Sequence, residues 1–170
     1  MTDARVARDY KSFENTFNTR YIYVIVREAE ISDVPFISPL FDKYRQFYKC
    51  ESNLESASQY LKARLTQKES IIFICLSDKT AIGFTQLYPT FCSVELSRIF
   101  ILYDLYILSS HRNLGVGTRL MNTAKNYAID HGASRLDLET ETNNQTAQAL
   151  YEKLGYEKDI NFYKYSLELE

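Results

Sequence analysis

The amino-acid sequence predicts an α/β protein in which helices cover both faces of one mixed sheet. Six segments are apolar runs or alternate in polarity, as strands do, and four others repeat apolar residues at helical spacing. The two kinds of segment are interleaved in the order strand, two helices, three strands, helix, strand, helix, strand, which favours a layered α/β architecture. With 170 residues, 45% of them hydrophobic and 25% charged, the chain is long enough for one domain with its own core.

The first third of the chain predicts an extension, a strand and two helices. Residues 1–20 are polar and unpatterned, so a flexible or partner-docking extension is expected there and a single domain over residues 21–170. Residues 21–29 are β-branched and aromatic and predict the first strand. Ser32 is the expected N-cap of the first helix, whose start Pro39 is expected to delay or kink. The second helix has Leu54, Ala57, Tyr60, Leu61 and Leu65 on one face.

The rest of the chain predicts five strands and two helices. Apolar runs on both sides of Asp78-Lys79 predict a hairpin, and residues 96–108 predict a strand that is covered on both faces. The next helix is expected to end at Gly132 and the last helix at Gly155, because glycine favours helix ends. Between them residues 134–141 alternate as a strand, and residues 161–169 alternate as a final strand.

Charge, hydropathy and cysteine spacing exclude several classes of function. A net charge of −2 gives no electrostatic reason to expect a nucleic-acid or membrane partner, and no apolar run has the length of a bilayer span. The polar N-terminus is unlike a secretory signal. Three distant cysteines and two histidines form neither a metal-ligand spacing nor a disulfide framework. A cytoplasmic, metal-free domain is therefore expected.

The segment from Ser109 to Met121 places Gly115 and Gly117 between a strand and a helix. Unpaired N–H groups at a helix start favour an anion, and glycine lets a phosphate approach the backbone. The segment lacks the lysine of a Walker A loop and has Leu120 where a dinucleotide fingerprint requires its third glycine. By itself the glycine pattern is explained equally well by a phosphate-binding loop and by a structural turn.

Two motifs and the order of elements resemble the GNAT superfamily of N-acetyltransferases. One motif is Arg112-x-x-Gly115-x-Gly117, and the other, at the spacing the family has, consists of Asn144, Ala147, Leu150, Tyr151, Gly155 and Tyr156. The resemblance extends from about residue 21 to residue 169. It implies a GNAT-like fold with a central, mostly antiparallel, splayed sheet of six to seven strands. It also implies direct transfer of the acetyl group of acetyl-CoA to a primary amine within a ternary complex.

The resemblance also assigns residues that bind the cosubstrate. The backbone around the glycine turn would hold the pyrophosphate, and the end of the preceding strand would pair with the pantetheine arm. Arg112 would add charge near the phosphates, with an exposed arginine as the alternative. Asn144 would hydrogen-bond the arm, cap its helix, or do both. The backbone groups belong to Leu105, Tyr106 and Ile107 on the strand and to Asn113, Leu114, Gly115, Val116, Gly117 and Thr118 at the turn.

The family's chemistry needs an acid for the departing thiolate and a neutral attacking amine. Tyr151 matches the family's general acid, although a core tyrosine is the alternative. Asp104, a carboxylate inside an apolar strand, would accept a proton or orient the acceptor, or it would tie down a neighbouring loop.

The resemblance also implies an acceptor pocket formed largely by the first two helices, their connection and the last strands, which makes Tyr44, Tyr48 and Glu51 candidates for it. Aromatic rings with carboxylates suit a cationic amine. A solvated helix face explains Glu51 equally well. The acceptor is expected to be a small-molecule amine or a protein lysine. A non-catalytic CoA-binding regulatory module is the alternative function, and relatives that exchange their last strand suggest a homodimer.

Overall fold

The computed structural model describes residues 23–169, which form one sheet between two layers of helices. The predicted extension over residues 1–20 and the first two residues of the predicted domain lie outside this range. The elements, in chain order, are β1 (Val24–Glu28), α1 (Val34–Phe47), α2 (Leu54–Thr66), β2 (Ile71–Ser77), β3 (Thr80–Cys92), β4 (Ser97–Ile107), α3 (Val116–Asp130), β5 (Ala133–Leu138) and α4 (Gln145–Lys153).

The described strands form a five-stranded mixed sheet in the order β1-β2-β3-β4-β5. The first four strands are antiparallel to their neighbours, and β5 runs parallel to β4. One buried cluster lies under α1 and α2, and a second lies under α3 and α4 on the opposite face. The predicted α/β class, mixed sheet and helices on both faces are confirmed.

The expected count of six to seven strands is wrong for the described chain, because residues 161–169 form no strand. This segment has no ladder partner, and the side chains of Phe162, Tyr163, Tyr165 and Leu167 are each more than 80% exposed. Alternating polarity produces a strand only where a neighbouring edge supplies backbone partners. Among residues 23–169 the segment pairs with no such edge, so its polarity pattern predicts one strand more than the sheet contains.

The start of α1 also differs from its prediction. A 3-10 turn over Ile31–Asp33 precedes the helix, and Asp33 rather than Ser32 is the N-cap residue, although its side chain bonds to that turn and not to the helix. The Asp33 carboxylate accepts a hydrogen bond from the Glu30 backbone N–H at 2.8 Å and pairs with Arg27 at 2.6 Å. Pro39 lies inside a continuous helix and does not delay its start.

The hairpin between β2 and β3 is confirmed. Asp78 and Lys79 have φ values of 47° and 67°, so both central residues are left-handed. This is the backbone of the two-residue turn that matches the twist of paired strands. It fixes the register of β3 against β2 and thereby the position of β3 beside β4.

Candidate active site

A β-bulge interrupts β4 at Tyr103. Gln86 of β3 lies opposite Asp104, whereas the next residue, Leu87, lies opposite Leu102. Tyr103 is therefore an extra residue on β4 with no counterpart on β3. Such a bulge changes which face of the sheet the following side chains occupy.

Burial on the two sides of the bulge shows this change of face. Before it, Phe100 and Leu102 pack in the cluster under α3, and after it Leu105 and Ile107 occupy the same cluster. The even-numbered residues after the bulge consequently point to the opposite face, under α1. The bulge thus places the Asp104 carboxylate among the residues of α1 instead of in the apolar cluster under α3.

Asp104 is the buried carboxylate of the site, with 4% of its surface exposed. Burial raises the pKa of Asp104 to about 7, and the nearby Tyr44 hydroxyl opposes that rise. The Tyr44 hydroxyl itself donates to the Tyr103 carbonyl oxygen at 3.1 Å. A carboxyl with a pKa near neutrality can accept and release a proton under physiological conditions.

A cavity of about 640 Å³ opens between α1, α2, β3 and β4, and Asp104 lines it. Its walls are chiefly aromatic, and one guanidinium, that of Arg45, lines it as well. The volume is in the range of small-molecule sites. The aromatic residues that line it are Phe41, Tyr44, Tyr60, Tyr88 and Tyr103.

The three residues predicted for the acceptor pocket have different positions. Tyr44 lines the cavity. Tyr48 packs edge-to-face on Tyr44, with 5.1 Å between the ring centroids, but does not line it. Glu51 lies on the exposed connection between α1 and α2 and does not line it either.

Sequence reasoning missed most of the cavity wall. Tyr60 and Tyr88 share a hydrogen bond of 2.7 Å between their hydroxyls, although they are 28 residues apart. Tyr103 and Arg45 were missed as well. The helical spacing of Phe41, Tyr44 and Arg45 was the one available signal, since it places them on adjacent parts of α1.

The strands β4 and β5 separate beside Asp104. Their pairing ends at Leu102 opposite Leu138, whereas β4 continues to Ile107 and stays paired with β3. Among the described strands, none covers the other side of Leu105, Tyr106 and Ile107. The predicted splay is therefore present, and this exposed edge can accept an extended ligand through backbone hydrogen bonds.

The glycine turn forms the N-terminus of α3 beyond that edge. Gly115 is the N-cap with φ 77°, and Asn113 is also left-handed with φ 61°. The first helical hydrogen bond is donated by Arg119 to the Gly115 carbonyl oxygen at 3.1 Å, so the amides of residues 116–118 precede the helical ladder. The first turn contains no acidic residue. This arrangement fits an anion such as a diphosphate.

The two glycines of the turn are required for different reasons. A Cβ on Gly115 would meet no atom within 4 Å, so its left-handed φ is the constraint and the space above it is open. A Cβ on Gly117 would lie 3.1 Å from Leu150 Cδ2 and 3.5 Å from Ile107 Cδ1. Gly117 therefore serves close packing of α3 on α4, while its amide remains in the first turn.

Arg112 connects the turn to the end of β4. Its Nε donates to the Ile107 carbonyl oxygen at 3.1 Å, and its guanidinium lies over the Tyr106 ring at 5.8 Å from the centroid. The side chain is exposed. Its positive charge is thus held between the glycine turn and the splayed edge of β4.

The second motif lies on α4. Asn144 caps this helix by accepting a hydrogen bond from Ala147 N at 3.3 Å, and its Nδ2 donates to Thr140 Oγ1 at 3.2 Å. Tyr151 is half-buried beside Tyr156, with 6.0 Å between the ring centroids. Burial, with a smaller contribution from the Tyr48 phenol, raises the pKa of Tyr151 to about 12. Tyr151 therefore keeps its proton at physiological pH and can donate it.

Residues 23–169 contain neither a cluster of metal ligands nor a membrane-spanning helix. No three side chains of His, Cys, Asp or Glu in this range come together as ligands for a metal ion. None of the helices in the same range is both long and apolar enough to cross a bilayer.

The chain is similar to acetyltransferases in both sequence and structure. The model of the acetyltransferase (GNAT) family matches residues 37–156. The uncharacterized N-acetyltransferase YhfO of Bacillus subtilis is 49% identical over 142 residues, which cover 84% of this chain and 95% of YhfO.

Solved structures agree with these sequence matches. The crystal structure of a probable acetyltransferase superimposes with a TM-score of 0.80 at 36% identity, over 86% of this chain and 98% of that one. The aminoglycoside N-acetyltransferase AAC(6')-Iy in complex with CoA superimposes with a TM-score of 0.75 at 18% identity, over 88% of this chain and 98% of that one. At that identity the second likeness concerns the fold alone.

Proposed function

Because this chain belongs to the acetyltransferase (GNAT) family, we propose that it transfers the acetyl group of acetyl-CoA directly to a primary amine within a ternary complex. The acceptor is a small cationic amine or a lysine side chain. One observation carries the proposal: Asp104 is buried at the bulge of β4, where it lines a cavity beside the splayed edge of the sheet. A titratable carboxylate, a cavity and a ligand-binding edge meet at that point.

The proposed cosubstrate site runs from the glycine turn along β4. The amides of residues 113–118 hold the diphosphate, and Arg112 adds a positive charge beside them. The backbone of Leu105, Tyr106 and Ile107 pairs with the pantetheine arm, and Asn144 donates a hydrogen bond to that arm while it caps α4. When bound, acetyl-CoA supplies an acetyl group that its thioester activates for attack by an amine.

Two side chains handle the protons of the reaction. Asp104 accepts a proton from the acceptor ammonium, directly or through a water molecule, so that a neutral amine can attack. Its pKa of about 7 supports this role, because half of the carboxyl groups are ionised at that pH. Tyr151 donates its phenolic proton to the departing thiolate, and its pKa of about 12 supports the presence of that proton.

We also propose that the chain forms a homodimer through residues 160–169. Four apolar side chains of this segment, those of Ile160, Phe162, Tyr165 and Leu167, are more than 80% exposed. The outer edge of β5 has no strand partner among the described residues. Pairing this segment with β5 of a second copy would bury both the edge and the apolar side chains.

Release of free CoA thiol from acetyl-CoA, measured with a panel of primary amines, tests the proposed activity. Amine-dependent thiol release is expected, with mass spectrometry showing one acetyl group added to the amine. Saturable binding of CoA without turnover on any amine would instead favour the non-catalytic CoA-binding module.

A further inference from the structure

We infer that the acceptor is a primary monoamine whose aromatic or compact apolar body lies against the tyrosine walls of the cavity, and that Arg45 excludes amines with a second positive charge. This inference rests on the proposed function, since it names the substrate class of the same site. It narrows the acceptor from a small cationic amine or a lysine side chain to an apolar amine with a single positive charge.

The cavity walls offer ring surface more than hydrogen-bonding groups. The hydroxyls of Tyr60 and Tyr88 bond to each other at 2.7 Å, and Tyr88 Oη also receives a hydrogen bond from Gln86 Nε2 at 3.0 Å. The Tyr44 hydroxyl donates to the Tyr103 carbonyl oxygen. The Tyr103 ring packs edge-to-face on Tyr88 at 5.8 Å. Because these hydroxyls already have partners, a polyhydroxylated acceptor would leave many of its own groups unpaired.

Charge in the cavity is limited to one residue of each sign. Asp104 is the single carboxylate among the lining residues, and Arg45 is the single cation. A polyamine or an aminoglycoside carries several ammonium groups, and its recognition requires several carboxylates. This cavity can neutralise one ammonium group and would place any second one near a guanidinium.

Arg45 forms an ion pair with Asp42 but shares no hydrogen bond with it. Its Nη1 lies 3.6 Å from Asp42 Oδ1 and makes no hydrogen bond within the described part of the chain. Asp42 already accepts shorter hydrogen bonds from Ser52 Oγ at 2.6 Å, Asn53 N at 2.8 Å and Gln46 Nε2 at 2.8 Å. Arg45 thus adds a positive charge to the lining of the cavity, which opposes a second cation on the acceptor.

Three acceptors with one common body test the inference by thiol release. Benzylamine, 4-(aminomethyl)benzoate and 4-(aminomethyl)benzylamine differ only in the charge at the far end of the ring. The expected kcat/KM is at least about tenfold lower for the diamine than for the other two, because like charges would meet at Arg45. Spermidine, kanamycin and a lysine peptide complete the panel and are expected to be poorer acceptors than benzylamine.

The substitution Arg45→Gln tests the origin of the selectivity. It should reduce the ratio of kcat/KM for benzylamine to kcat/KM for the diamine at least about threefold, since it removes the charge and leaves a polar side chain of similar length. Arg27→Gln is the matched control, because Arg27 pairs with Asp33 and does not line the cavity. The ratio of the two kcat/KM values should be unchanged in that control, which separates selectivity from a general effect on folding.

The outcomes distinguish this inference from the proposed function. Efficient turnover of spermidine, kanamycin or the lysine peptide above benzylamine would overturn the inference and leave the acetyltransferase activity intact. An unchanged benzylamine-to-diamine ratio in Arg45→Gln would overturn the role of Arg45. Absence of turnover with every amine, despite CoA binding, would overturn the proposed function itself and the inference with it.

Discussion

Replacing Asp104 with asparagine should stabilise the protein, and the gain should grow with pH. The pKa of an aspartate carboxyl in an unfolded chain is about 3.9, whereas burial raises that of Asp104 to about 7. At about 1.36 kcal/mol per pKa unit, the difference corresponds to about 4 kcal/mol. Because the folded-state pKa is the higher one, ionisation destabilises the native state, and stability falls as the pH rises from about 4 to about 7.

The asparagine keeps the shape of the neutral carboxyl and removes the ionisation. Linkage gives an increase in the free energy of unfolding of about 2 kcal/mol at about pH 5.5 and of about 4 kcal/mol at about pH 8.5. The chain has no tryptophan, so urea unfolding followed by circular dichroism is the suitable assay. The advantage of Asp104→Asn over the wild type should therefore grow by about 2 kcal/mol across this pH range.

Asp42→Asn is the matched control, and its expected change in the free energy of unfolding has the opposite sign. Asp42 is as buried as Asp104. Hydrogen bonds from Ser52, Asn53 and Gln46 lower its pKa. Its charge therefore stabilises the fold above the unfolded-state pKa, and its substitution should destabilise the protein equally at both pH values. If Asp104→Asn were no more stable than the wild type at the higher pH, or if its advantage did not grow with pH, the buried-carboxylate argument would be refuted.

Three further predictions concern the acid, the turn and the assembly. Tyr151→Phe should lower kcat at least about a hundredfold with little change in CoA affinity. Tyr156→Phe is the control, since burial also raises the pKa of that phenol to about 12, and it should change kcat little. Equal losses of kcat in the two variants in steady-state assays would reject the general-acid role. Gly115→Ala should weaken CoA binding measured by calorimetry, because alanine strains the left-handed backbone at φ 77°. Gly132→Ala is the control: at φ 70° it should cost a similar ~1 kcal/mol of strain without affecting CoA affinity. Deleting residues 160–170 should convert a dimer to a monomer in light scattering, and a full-length chain that is already monomeric would contradict the proposed exchange.

Most helices and strands could be predicted from the spacing of apolar residues, because most of them contact elements that are next to them in the sequence. The hairpin at Asp78-Lys79 needs two residues that tolerate left-handed backbone, and the helix that ends before Gly132 needs a residue with positive φ. Residues 161–169 have the same kind of signal as β5 but pair with no strand edge among the described residues. Pairing is a property of two segments, so alternation in one of them could not predict the outcome.

The candidate site was predicted where backbone chemistry defines it and missed where tertiary packing does. Gly115 and Asn144 were named as members of the two motifs, and the structure gives the first a left-handed N-cap and the second a helix-capping side chain. Asp104 was a candidate because it is a carboxylate inside an apolar strand, but no pattern in β4 shows the bulge at Tyr103 that determines which face its side chain occupies. Likewise, the contact between Tyr60 and Tyr88 depends on how α2 lies on β3.

The pH dependence of kcat/KM for the wild type and for Asp104→Asn tests the central claim most directly. The wild-type value should rise with unit slope below a pKa of about 7 and level off above it, because ionised Asp104 accepts the amine's proton. Asp104→Asn should have a value reduced at least about a hundredfold and lacking that pKa. A variant with the wild-type profile and rate would show that Asp104 takes no part in the reaction.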